Sequence, residues 1–296
     1  MKVVVTGASG YVGSAVVAAL VRAGHEVTGQ HHAEGSGAQV LRLGARPVRA
    51  ELGHFSELLP LLAQADAVVH AAADYQPAHD REAVDALLSG ALKAGRPYVI
   101  LYTSGVWVLG EQPNAVAEEA PTDHPASAVA WRVGHERLVL GANGGRVTAA
   151  VVRPGMVFGG RGGMFASWFE SALTEGAAAF VGSGRQHWSH VHREDLAELY
   201  RLVLEKRAAG ILHGVDGRPE RVEDSARAAS LAAGKGEVRA IPVEEARKTL
   251  GPLADALAMD QVVASGRSRE VGWAPRHEGF GPEAPESFRD WLALRG

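Results

Sequence analysis

The first residues equipped for chemistry are Thr6 to Gly13, read Thr-Gly-Ala-Ser-Gly-Tyr-Val-Gly, with glycines at 7, 10 and 13. The segment follows the apolar run Val3-Val4-Val5 and opens an apolar helical stretch from Ser14 to Leu20. A phosphate needs main-chain N–H groups close to it and a helix N-terminus aimed at it, and glycines remove the side chains that would block the approach. Strand, glycine loop and helix at this spacing predict a nucleotide-binding site formed by Gly7, Ser9, Gly10, Tyr11, Val12 and Gly13.

Other constellations carry less. His187, His190 and His192 lie close in sequence, and His-x-His at strand spacing puts two rings on one face. No acidic ligand is fixed beside them, so no metal site is expected. No Gly-x-Ser-x-Gly elbow follows a strand, which removes the Ser-His-Asp hydrolase reading. The chain has no cysteine, which excludes disulfides and thiol catalysis. With 30 basic and 34 acidic residues, a net charge of −4 and no long like-charge block, nothing points to nucleic acid or an anionic membrane. A small-molecule substrate is the expected partner, with a homodimer left open. No signal peptide and no apolar run of spanning length appears, so a soluble, cytoplasmic protein is expected.

The elements that would position such a loop alternate along the chain. Short β-like runs at Lys2–Thr6, Glu26–Thr28, Pro47–Arg49, Ala67–His70, Tyr98–Tyr102 and Thr148–Val152 are separated by longer helical patterns. That alternation predicts an α/β fold, a Rossmann-type doubly wound parallel sheet covered on both faces, with a smaller C-terminal substrate lobe. Residues 1–159 are expected to be mainly the dinucleotide-binding core. Residues 160–296 are expected to be mainly the lobe, with returning core elements near 187–216. Asp195 is expected to cap or anchor a helix beginning near Leu196.

In a Rossmann arrangement an acidic residue ending the second strand binds the adenosine ribose, whereas a basic one accommodates a 2′-phosphate. Here Gln30-His31-His32 holds that place and no carboxylate follows until Glu34. His31 and His32 can donate to a phosphate without repelling it, so NADP is expected over NAD.

The Gly-x-x-Gly-x-x-Gly spacing resembles the fingerprint of extended short-chain dehydrogenase/reductases, the NAD(P)-dependent epimerase/dehydratase-like group. Further segments resemble that family's landmarks in order: Val68-Val69-His70-Ala71-Ala72-Ala73, Tyr102 to Gly110, Val152-Arg153-Pro154-Gly155-Met156-Val157-Phe158-Gly159, His190 to Ala197, and Val271-Gly272-Trp273-Ala274-Pro275. The resemblance covers essentially the whole chain. It implies cofactor contacts from Ala71, Ala72, Ala73, Thr103, Pro154, Gly155 and Val157, and it places Glu51-Leu52 where the family's acidic residue meets the adenine amino group.

The resemblance also implies hydride transfer assisted by a Tyr-x-x-x-Lys pair, in which the lysine charge favours an ionised phenol. That pair is absent. Tyrosines 11, 75, 98, 102 and 200 are followed four positions later by Ala15, His79, Tyr102, Val106 and Leu204. The corresponding helix is expected over Ala128–Leu140. Anchored on Glu136-Arg137-Leu138-Val139, it puts Ala128 at the tyrosine place and Arg132 at the lysine place; an alternative register puts Trp131 and His135 there. Arg132 can hold the nicotinamide ribose, and His135 is the side chain best able to move a proton near neutrality. The substrate-polarising serine falls on Ser104 in one register and on Gly105 in the other. The catalytic residues expected are therefore Ser104, Arg132 and His135. Three functions follow from this set: an NADP-dependent oxidoreductase acting on a small carbonyl or alcohol, an epimerase or dehydratase using transient oxidation, or a dinucleotide-binding redox sensor without catalysis.

Overall fold

Val3, Val4 and Val5 are all buried, Val3 and Val5 in one apolar cluster and Val4 in another. A strand with both faces covered belongs at the centre of a parallel sheet. The computed structural model, which describes residues 1–277 and 279–295, places it there.

The first half of the chain runs β1 (Lys2–Thr6), α1 (Tyr11–Arg22), β2 (Glu26–His31), α2 (Ser36–Arg42), β3 (Arg46–Arg49), α3 (Leu59–Gln64), β4 (Ala67–His70), α4 (Pro77–Ala94) and β5 (Tyr98–Thr103). It continues through β6 (Gln112–Val116), α5 (Arg132–Gly141), β7 (Val147–Pro154), β8 (Met156–Phe158), α6 (Met164–Glu175), β9 (Ala177–Val181), β10 (His187–Trp188), β11 (His190–His192), α7 (Arg193–Lys206) and β12 (Gly210–Gly214). The remainder is β13 (Glu220–Arg221), α8 (Val222–Ala232), β14 (Glu237–Ile241), α9 (Val243–Leu250), α10 (Leu253–Ala258), β15 (Gln261–Val263), α11 (Gly266–Glu270) and α12 (Phe280–Ala293).

Seven strands form the central sheet in the order β12-β7-β5-β4-β1-β2-β3, all parallel. The fold is therefore the doubly wound α/β type that the alternation predicts. The order reverses between β1 and β4, and the crevice at their C-terminal ends is the standard ligand position of such a sheet. One face is packed by α1 and α7 through Val16, Val17, Leu20, Leu199 and Val203; the other by α3 and α4 through Leu62, Val84 and Leu87. An aromatic cluster including Phe158, Phe165, Trp168, Trp188 and Phe280 forms a separate core in the C-terminal lobe.

Three expectations need correction. The helix expected over Ala128–Leu140 begins only at Arg132; Ser127–Val129 form a tighter 3₁₀ turn, because Ala126 donates to Trp107 O and Val129 packs under Val106 and Val108. The helix expected near Leu196 begins at Arg193 and is capped by His192, whose ring nitrogen accepts from Glu194 N–H. Asp195 instead accepts from the N–H groups of Arg276 and His277, tying the C-terminal segment to α7. Finally, β12 is a seventh strand absent from the six expected ones, and β2 extends to His31.

Candidate functional site

The glycine loop joins β1 to α1 at the reversal of strand order. Gly7 adopts φ 66°, and a Cβ there would lie 2.7 Å from Ala72 Cα. A Cβ at Gly13 would lie 2.1 Å from the Gly7 carbonyl oxygen, so the first turn of α1 closes on the loop only without a side chain. The loop is fixed from the side by buried Gln30, whose Oε1 accepts from Gly7 N–H at 2.8 Å and whose Nε2 donates to Ala50 O at 2.6 Å. Sequence reading gave Gln30 no role beyond marking an absent carboxylate.

A cradle emptied of side chains at the start of a 12-residue helix fits a dinucleotide diphosphate. A cavity of about 680 Å³ runs along α1 from Ser9 and Gly10 at its start to Arg22 at its end; Arg42, Arg161 and Arg193 also line it, with Glu194 its one acidic residue among the described residues. Arg193 also covers the Tyr11 ring at 5.4 Å and donates to Ser14 Oγ at 3.1 Å.

The ends of β2 and β3 form the neighbouring edge of the sheet. His31 is partly engaged, with Nδ1 3.1 Å from Ser36 Oγ, whereas His32 is exposed. Arg49, which sequence reading passed over, pairs in register with His31 and reaches Glu51 at 3.3 Å. Leu52 borders a small void together with Ala72 and Ala73.

A second cavity of about 680 Å³ begins at Tyr11 and Val12 and continues into the lobe. Its inner wall carries Ala71, Ala73, Thr103, Ser104, Gly105, Arg132, Pro154, Gly155 and Val157, and Ala128 lies on the same wall. The outer part is apolar: Val106, Trp107, Val129, Met156, Met164, Leu250, Pro252 and Leu253. The structure thus brings together Ser104 and Arg132 beside the glycine loop. Arg132 Nη1 donates to Ser104 O at 2.8 Å, while Arg132 Nε and Ser104 Oγ are buried without a hydrogen-bond partner among the described residues. Thr103 is already committed, its Oγ1 2.6 Å from Tyr200 Oη.

His135 goes elsewhere. It does not line the cavity; its Nδ1 is 2.6 Å from Asp80 Oδ2. The same carboxylate accepts from Tyr102 Oη–H at 2.7 Å and lies 3.3 Å from His70 Nε2, and His70 Nδ1 reaches Thr6 Oγ1 at 2.8 Å. A buried carboxylate needs such partners. Burial pushes the Asp80 carboxyl up, but the hydrogen bond and charge of His70, with the Tyr102 and His135 bonds, outweigh it and hold the group at about 2. The expected proton donor is therefore a strut of a buried network joining β1, β4, β5, α4 and α5.

The three sequence-neighbour histidines also separate. His187 Nδ1 contacts Asp260 at 3.0 Å, and His190 is wholly buried. His192 instead groups with Glu194 and His277, one ligand-type atom of each lying within 4.8 Å of the others. The His192 and His277 rings are stacked at 3.6 Å, so their in-plane lone pairs run side by side rather than converging on one ion.

Comparison with known proteins agrees with this architecture. The chain is 32% identical over 298 residues to Uncharacterized protein YLL056C of Saccharomyces cerevisiae, covering 95% of this chain and 96% of that one. It is 30% identical over 263 residues to the 4-hydroxy-2-methyl-3-oxo-4-farnesyl-3,4-dihydroquinoline-1-oxide ketoreductase of Stigmatella aurantiaca, covering 83% and 78%. The human epimerase family protein SDR39U1 (isoform 2), solved with NADPH, superposes with a TM-score of 0.80 at 22% identity over 98% of this chain and 100% of that one. Residues 3–214, from β1 to the end of β12, match the model of the NAD dependent epimerase/dehydratase family, and by that match and the relatives' identity the chain belongs to that family.

Proposed function

We propose that the protein is an NADP-dependent oxidoreductase that reduces the carbonyl group of a small apolar substrate, or oxidises the matching alcohol. The observation that carries this reading is the single cavity running from Tyr11 and Val12 at the glycine loop, past Ser104 and Arg132, into an apolar outer part. When bound, a nicotinamide dinucleotide supplies or accepts the hydride. The chain's share is to bind, orient and stabilise. Gly7, Gly10 and Gly13 open the main chain to the diphosphate, and Arg161 and Arg193 add positive charge beside it. Ser104 and Arg132 offer two donors to a carbonyl oxygen gaining negative charge, and a fixed guanidinium in a largely apolar wall is more effective there than in water. The guanidinium remains charged, so Arg132 stabilises the oxygen and does not donate the proton.

His31, His32 and Arg49 give the adenosine edge a basic character, which supports NADP over NAD. The apolar outer wall supports a carbonyl substrate over the nucleotide sugars named for several solved neighbours, whose diphosphates call for cations: among the described residues Arg132 is the one charged side chain lining it. Two relatives are named as a ketoreductase and a 2-alkyl-3-oxoalkanoate reductase, which agrees with carbonyl chemistry. Ala128 in the tyrosine place favours a second reading, a dinucleotide-binding sensor. The deciding experiment is calorimetric titration with NADPH and NADH followed by turnover on a panel of apolar ketones and UDP-glucose. The expected result is tighter NADPH binding with NADPH consumed by ketones; NADPH binding without any turnover would favour the sensor.

A further inference from the structure

Four of the five tyrosines are committed to the fold. Tyr11 donates to Gly159 O at 2.7 Å, Tyr98 to Leu62 O at 3.1 Å and Tyr102 to Asp80, while Tyr200 pairs with Thr103. Burial pushes all four phenols well above their ordinary range, and their hydroxyls are already bonded within the fold. Tyr75 differs in its exposure and in its hydrogen bonding. It lies in the loop between β4 and α4, is 57% exposed, lines the cavity that carries Ser104 and Arg132, and has no hydrogen-bond partner among the described residues.

Its backbone and its neighbour add two further observations. Tyr75 adopts φ 58°, one of two non-glycine residues in the left-handed region among the described residues. For a bulky side chain this conformation is strained, and such strain clusters at functional loops. Asp74 pins the turn, accepting from Gln76 N–H at 3.0 Å and from His79 at 2.6 Å. The Arg132 guanidinium stands over the Tyr75 ring, 5.5 Å from its centre.

We propose that Tyr75 is the proton donor of the reaction, forming with Arg132 a tyrosine–cation pair assembled from a loop and a helix, in place of a pair on one helix. The proposal rests on the oxidoreductase reading above. A nicotinamide held in the cavity would supply hydride to the carbonyl carbon, and the C=O π pair would move to oxygen. The Tyr75 O–H bond breaks, its proton goes to that oxygen, and the phenolate recovers a proton from water at the exposed side of the ring. Arg132 puts a fixed positive charge over the phenol ring and at the cavity wall, where it stabilises negative charge as the proton moves. The other ionisable groups around the loop are His70, Asp74, His79 and Asp80.

The test is Tyr75→Phe, which keeps the ring under Arg132 and removes only the hydroxyl. With NADPH and an apolar ketone, kcat should fall by roughly 10²–10⁴ with unchanged NADPH affinity, and the alkaline limb of the kcat/KM profile should disappear. Wild-type kcat with the alkaline limb intact would overturn the assignment. A readout independent of turnover is absorbance titration of the native protein. One tyrosinate step should appear, be absent in Tyr75→Phe, and move when NADP⁺ binds; a step that NADP⁺ leaves in place would place the phenol away from the cofactor and overturn the proposal. A wild type that binds NADPH yet reduces no carbonyl would overturn the oxidoreductase reading itself, and the titration then decides Tyr75 separately.

Discussion

Arg132 donates from Nη1 to the main-chain oxygen of Ser104 at 2.8 Å, so the helix bringing the cation and the strand end bringing the hydroxyl are fastened together at the cavity wall. Arg132 Nε and Ser104 Oγ are buried without hydrogen-bond partners among the described residues, and buried donors are rarely left so without reason. Ser104→Ala should lower kcat by roughly 10²–10³, the effect of removing one donor to a developing oxyanion, with NADPH affinity unchanged. Steady-state kinetics beside calorimetry checks this; a full kcat would remove Ser104 from the chemistry.

The glycine loop gives a graded prediction. A Cβ at Gly10 would sit 3.0 Å from Gly7 O and the backbone there is extended, so Gly10→Val should fold while crowding the diphosphate cradle and abolishing NADPH binding. At Gly13 the same atom would lie 2.1 Å from Gly7 O, so Gly13→Ala should lower the melting temperature itself. Calorimetry and thermal melts separate the two, and equal NADPH affinity in Gly10→Val would contradict the cradle.

Asp80 is held at about 2, below its unfolded value of 3.8, so its contribution to stability is complete above pH 3.8 and is lost as pH falls towards 2. Removing one partner of such a buried cluster costs roughly 3–5 kcal/mol, so Asp80→Ala should be strongly destabilised at neutral pH. His135→Ala should also melt earlier but retain most of its kcat. A collapse of kcat with an unchanged melting temperature would return the proton-donor role to His135.

Asp216 behaves in the opposite sense. Burial, helped by the Glu220 charge, pushes its carboxyl up to about 7, although Arg218 N–H donates to it and Arg218 and Arg269 lie near. The folded state therefore holds a proton that the unfolded state has released, and stability falls as pH rises from about 4 to 7. Asp216→Asn should raise stability at pH 8 by roughly 4 kcal/mol at most and leave it little changed below pH 4. Urea melts at the two pH values check the sign; equal effects at both would contradict it.

What the sequence reveals and what it hides divide along sequence distance. The glycine loop is legible because strand, loop and helix are contiguous, and the parallel sheet because buried central strands such as Val3–Val5 read as unbroken apolar runs. The Arg132–Ser104 contact spans 28 residues and joins two elements, so spacing on one helix cannot show it. His135 looks like an acid on its own helix; only the fold brings Asp80 and Tyr102 beside it. Tyr75 has no local signature, because both its positive φ and its place under Arg132 are tertiary. The apolar rim at Leu250, Pro252 and Leu253 comes from the turn between α9 and α10, far along the chain from the loop it faces.

The substrate that the cavity accepts tests carbonyl reduction most directly. Wild-type kcat/KM, measured with saturating NADPH over a series of methyl ketones of increasing chain length, should rise by up to ~4-fold for each added methylene until the outer wall is filled, as burial of about 0.8 kcal/mol per methylene requires. UDP-glucose should show no turnover. A flat dependence on chain length, or conversion of UDP-glucose in preference to the ketones, would contradict an apolar carbonyl as the substrate.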